Sequence, residues 1–210
     1  MNAQRALIAF AGAVISSGAV ADPHVFTIYA QAPATALPGE TITVEIWGQV
    51  HSPLWVQGTS MVAGFGIDVL GTGAISNVAM GEFAWWAERF GTNGTVSGTN
   101  VLGTSGGQLW LLFGDCWFPP CWEYGNPVLL FTIEARAGLE GSMTFTPANP
   151  NINGGMSFYP VDTDGASIVG PNDAGTSLHT ISATTIIIPT PATVLVGAGA
   201  AILLSRRRRA

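Results

Sequence analysis

The chain has 210 residues, 48 % of them hydrophobic and only 10 % charged, with seven Trp, 27 Gly and 13 Pro. This composition excludes a disordered chain and a long-helix protein, and without a Gly period it excludes collagen. There is no Lys, and all thirteen acids fall between Asp22 and Asp173 against only Arg89 and Arg136, a net of −11. A surface so acidic repels phosphate backbones and excludes nucleic acid as a partner.

Residues 1–21 read as a secretory signal peptide. Arg5 gives the positive start, an apolar run follows, and Ala19-Val20-Ala21 supplies small residues at Ala19 and Ala21 for cleavage before Asp22. A folded domain is expected over 22–188. Short β-branched runs bounded by Gly, Pro, Asn and Ser predict strands over 25–30, 41–50, 61–70, 108–113, 127–137, 142–146 and 178–188. The clearest alternation is Ile42, Val44 and Ile46 against Thr41, Thr43 and Glu45. Pro38-Gly39-Glu40 reads as a turn. Residues 83–90 fit a short helix or a strand, and the Gly/Ser/Thr-rich stretch 91–107 reads as a long loop with room for a short strand. Seven to nine strands predict an all-β fold, a two-sheet antiparallel jelly-roll-like sandwich. No fixed-period repeat supports a solenoid.

The three histidines, His24, His51 and His179, are far apart and lack metal-ligand spacing. There is no nucleophile elbow and no phosphate loop, and no pair of acids stands out for glycosidase chemistry. The expectation is a protein with no catalytic residues. Cys116 and Cys121 frame Cys-Trp-Phe-Pro-Pro-Cys, which in an exported chain reads as a disulfide across a loop tip, contributing about 2 kcal/mol. Around it stand Trp110, Trp117, Phe118, Trp122 and Tyr124, and Trp85, Trp86 and Phe90 form a second aromatic cluster. Trp110 is placed in or near the core. Trp117, Trp122 and Tyr124 either pack as a satellite core or present flat rings to sugar faces. Asp162-Thr163-Asp164-Gly165 with Asp173 matches a calcium loop only in part, so a β-turn is preferred, with Asp162, Asp164 and Asp173 as weak calcium candidates. No other cofactor is indicated.

At the other end, Pro189-Thr190-Pro191 precedes a nearly apolar run closed by Arg206, Arg207, Arg208 and Arg209. This three-part arrangement over 189–210 resembles a PEP-CTERM sorting signal, with Thr190 where the commoner motif has Glu. The resemblance implies an exosortase as processing partner and a transmembrane sorting helix held transiently in the inner membrane. It implies delivery to the surface or extracellular matrix of a Gram-negative-type bacterium.

Leu37-Pro38-Gly39-Glu40-Thr41-Ile42-Thr43-Val44 resembles the opening of cohesin-like domains. Gly64-Phe65-Gly66-Ile67-Asp68-Val69 and Leu129-Leu130-Phe131-Thr132-Ile133-Glu134-Ala135 are similar to their later core strands. Those domains and related carbohydrate-binding modules are jelly-roll sandwiches that bind proteins or polysaccharides and catalyse nothing. The main expectation is an exported, non-catalytic surface or matrix protein associated with exopolysaccharide. The alternatives are a carbohydrate-binding module using Trp117 and Trp122, and an adhesion or scaffolding module with a protein partner.

Overall fold

A computed structural model describes residues 23–109, 122–149, 155–160 and 167–189. The expectations for 1–21, for Trp110 and the Cys116–Cys121 loop, for Asp162 and Asp164, and for Thr190 onward lie outside the described residues. Among the described residues no helix is long and apolar enough to cross a membrane.

The described chain is almost entirely β. Strands β1 (His24–Gln31), β3 (Thr41–His51), β5 (Ile75–Phe83), β8 (Val128–Ala137) and β11 (Thr176–Ile181) form a five-stranded sheet in the order β11-β1-β3-β8-β5. The second sheet runs β2 (Thr35–Ala36), β12 (Ala183–Ile187), β9 (Gly141–Ala148), β4 (Met61–Gly73), β7 (Asn100–Gly107) and β6 (Thr95–Ser97), and β10 (Gly155–Tyr159) also pairs with β4. One helical turn, α1 (Trp85–Glu88), follows β5. The inward faces meet in a common core in which Phe26, Ile28, Ile46, Ile67, Phe131 and Phe145 are fully buried. Period-2 alternation drives this: along β3, Ile42, Val44, Ile46 and Val50 face the core while Thr41, Thr43 and Gln49 face water.

The Pro38-Gly39-Glu40 turn is present. Gly39 takes φ 75°, the Glu40 amide donates to Leu37 O at 3.1 Å, and the Leu37 amide donates to the Glu40 carboxylate at 2.6 Å. Predicted segment 178–188 is two strands rather than one. β11 pairs parallel with β1 in the first sheet, and after Ser182 the chain crosses and β12 pairs parallel with β2 in the second. The crossing is fixed by Thr185, fully buried, whose hydroxyl donates to Pro33 O at 2.7 Å. First and last strands therefore clasp each other on both sheets.

The region read as a loop over 91–107 holds β6 and the inner strand β7, while 108–109 lie beyond that strand rather than in one. β7 is Gly-rich because its backbone lies close against β4 and α1. A Cβ at Gly106 would stand 2.9 Å from the Phe65 ring, and one at Gly107 would stand 2.5 Å from Ala63 O. Strand β5 also escaped the pattern, because Ser76, Asn77 and Gly81 break its alternation at two irregularities against β8. Residues 83–90 resolve into the end of β5 and the single turn of α1.

Candidate functional site

Two bulges converge at one end of the five-stranded sheet. Between β3 and β8 the register shifts after Ile46, so that Trp47 opposes Leu129 and Leu130 becomes the extra residue. Both Leu130 and Phe131 then turn into the core. Between β5 and β8 the register shifts between Met80 and Phe83, at Gly81-Glu82. A Cβ at Gly81 would collide with Thr132 Oγ1, which accepts the Glu82 amide at 2.9 Å and points the exposed Glu82 side chain outward. Bulges re-aim side chains in this way beside binding sites.

Immediately after β5, α1 splits adjacent tryptophans. Consecutive helical residues project about 100° apart. Trp86 is 4 % exposed; its indole N–H donates to Leu129 O at 2.8 Å and its ring meets Phe65 edge-on at 5.9 Å. Trp85 is 46 % exposed. The helix lacks a side-chain N-cap, so the burial of Trp86 and Ala87 holds it.

Between these elements lies an open groove of about 550 Å³, within the usual range for ligand sites. Its walls are Trp47 of β3, Phe83 at the end of β5 and Trp85 of α1, and its floor is Pro127, Val128 and Leu129. Three carboxylates line it: Glu82, Glu88 and Glu123. Trp47 is fixed on both sides, stacked on Tyr29 at 6.5 Å with an 11° interplanar angle and donating its indole N–H to Glu45 at 2.9 Å. Desolvation raises the Tyr29 hydroxyl above its ordinary value.

Glu123 is placed by Gln108, which is 5 % exposed. The Gln108 amide oxygen accepts the Glu123 N–H at 2.9 Å, and its NH₂ donates to Glu123 O at 3.1 Å and to Val62 O at 2.7 Å. Asn126 ties the same segment to β3 through Val50, accepting its N–H at 2.9 Å and donating to its carbonyl at 2.7 Å. One Glu123 oxygen accepts the Gly125 amide at 2.7 Å. Among the described residues the Glu82 and Glu88 carboxylates have no hydrogen-bond or ion-pair partner. Both residues are exposed.

The predicted site residues fall elsewhere. Trp122 and Tyr124 are half-buried and pack on a small cluster of Met61, Ala63 and Tyr159, with the Trp122 indole donating to Leu109 O at 3.2 Å. That burial raises the Tyr124 hydroxyl above its usual value. Trp117 lies outside the described residues, as do Cys116 and Cys121. Asp173 closes a turn: its carboxylate accepts the Gly170 amide at 2.7 Å, and its own amide donates to Gly170 O at 3.2 Å. Among the described residues no cluster of three or more His, Cys, Asp or Glu side chains could hold a metal ion. Pro189 ends the described chain just beyond β12. The groove residues Trp47, Glu82, Glu88 and Glu123 carried no sequence signal as a group; only Trp85 and Trp86 stood out as a cluster.

No protein-family model matches the chain, and no characterised protein matches it by sequence. Among solved structures it is similar to a type II cohesin domain from the cellulosome of Acetivibrio cellulolyticus, with a TM-score of 0.43 and 14 % identity over 75 % of this chain and 95 % of that one. It is also similar to the type II cohesin dyad from the adaptor ScaA scaffoldin of the same organism, with a TM-score of 0.42 and 15 % identity over 78 % of this chain. The chain spans about half of that dyad, 48 % of its length. At these values the likeness concerns the course of the strands and gives no residue-by-residue equivalence.

Proposed function

We propose that this chain is an exported, non-catalytic adhesion or scaffolding module, sorted by an exosortase-type system and displayed at the cell surface or in the matrix. The Pro189-Thr190-Pro191 motif, apolar run and Arg206–Arg209 tail support the sorting half of this reading. The observation that carries the binding half is the groove. Its Trp47 wall is held by Tyr29 and Glu45, and the Glu82 and Glu88 carboxylates are exposed without a described partner, which suits recognition.

A protein partner fits the groove better than exopolysaccharide, because its side chains offer many acceptors and almost no donors. Intact-mass measurement of the protein from the surface and medium fractions tests the reading. The expected mass lacks 1–21 and everything beyond about 189–191. A mature mass that still contains Arg206 to Arg209 overturns the sorting proposal. Loss of two hydrogens in the same spectrum would register the Cys116–Cys121 bond.

A further inference from the structure

We infer that the groove between β3, α1 and the start of β8 receives an arginine-bearing segment of a protein partner. The inference deepens the scaffolding reading by naming the site and the partner's chemistry. Its basis is an imbalance of hydrogen-bonding groups. Glu82, Glu88 and Glu123 bring carboxylate oxygens, of which one is spent on the Gly125 amide. The groove's side-chain donors are indole N–H groups alone, and two of the three are already given away, Trp47 to Glu45 and Trp86 to Leu129 O.

Sugar hydroxyls donate and accept together, so a glycan would leave its acceptor half unanswered here. A guanidinium is the opposite case: five N–H donors, no acceptor, a permanent charge and a flat face that stacks on indole. Trp47 and Trp85 supply such faces, and Glu82 and Glu88 supply fork-matching carboxylates.

The domain has no cation of its own for this role. Its two arginines are engaged elsewhere, Arg89 over the Phe90 ring at 5.6 Å from the centroid and Arg136 donating to Gly39 O at 3.1 Å. Glu45 stands beside the groove, held by Trp47, and adds to the negative field. The complementarity is therefore directed outward, to a partner.

The test uses the full chain and a short fluorescent peptide carrying two arginines, with the same peptide carrying citrulline as its neutral counterpart. A neutral hexose tetrasaccharide serves as the glycan probe. Binding is expected for the arginine peptide and to fall at least about tenfold for citrulline. The double variant Glu82→Gln/Glu88→Gln should lose a similar factor. Glu134→Gln/Glu140→Gln, which removes as much charge from the far part of β8 and the turn that follows it, should lose less than about twofold. Trp85→Ala should lose about fivefold through the missing ring face. Equal losses from the two double variants would reduce the effect to bulk charge and overturn the inference. So would absence of peptide binding, or binding of the tetrasaccharide in its place. The mature mass tests export without involving the groove, so either proposal can fail while the other stands.

Discussion

The two outer faces of the sandwich are built from the same strand geometry and differ in how they spend their polar groups. On the seven-stranded sheet, Thr72, Thr144 and Thr184 fall in one transverse row. Thr144 and Thr184 share a hydroxyl hydrogen bond at 3.0 Å, and Thr146 and Ser182 share another at 2.8 Å. On the five-stranded sheet the matching row is Ile181, Tyr29, Trp47 and Leu129. It ends in a groove whose Glu82 and Glu88 have no described partner. The first face pairs hydroxyls across its strands; the second leaves charge and aromatic area for something outside the fold. Recognition is expected where the fold leaves such groups unanswered.

The sharpest way to break this comparison is at the tryptophan pair that builds the groove. Trp86→Ala removes a buried indole, its bond to Leu129 O and its contact with Phe65, and should cost about 3–5 kcal/mol. Trp85→Ala, one residue away on the water side, should change stability by no more than about 0.5 kcal/mol while weakening the arginine peptide. Urea unfolding of both variants measures the difference. Equal destabilisation would mean that Trp85 is part of the core, and the groove would lose its presented aromatic wall.

Next in size is Gln108→Leu. The side chain is nearly isosteric, but the Glu123 amide, the Glu123 carbonyl and the Val62 carbonyl lose their partner together. About 2–3 kcal/mol of stability should go with them, since the orphaned groups keep their desolvation cost. Because Gln108 positions Glu123 without lining the groove, peptide affinity should fall while Trp85→Ala still lowers it further. A variant as stable as the parent would show that Asn126 and the packing of Trp122 and Tyr124 hold the 122–126 segment without Gln108.

The sequence showed the fold where alternation was local. Thr41 to Val50 declared its buried face residue by residue, whereas the apolar run that became β8 declared a strand but not the bulge that buries both Leu130 and Phe131. It hid β7, because glycines required by Phe65 and Ala63 in a distant strand look like loop glycines when the strand is unknown. It hid the split of β11 from β12, because both halves are apolar and β-branched, and only pairing with β1 and β2 separates them. The groove was hidden for the same reason. Trp47, Glu82 and Glu123 are far apart along the chain and meet at the end of the sheet where two bulges shift the register. The aromatic cluster at 117–124 was conspicuous because it is local, yet its described members Trp122 and Tyr124 serve as packing around Met61 and Tyr159.

The smallest expected effect lies on the other face. Thr144→Val with Thr184→Val replaces a hydroxyl pair by a β-branched apolar pair at the same register position. Valine keeps strand propensity and cross-strand packing, so stability should move by less than about 1 kcal/mol. Arginine-peptide binding should be unchanged, because this face lies across the core from Trp47. A loss comparable to that of Glu82→Gln/Glu88→Gln would mean that both faces contribute to one binding surface. The asymmetry between them would then belong to polar bookkeeping within the fold rather than to recognition.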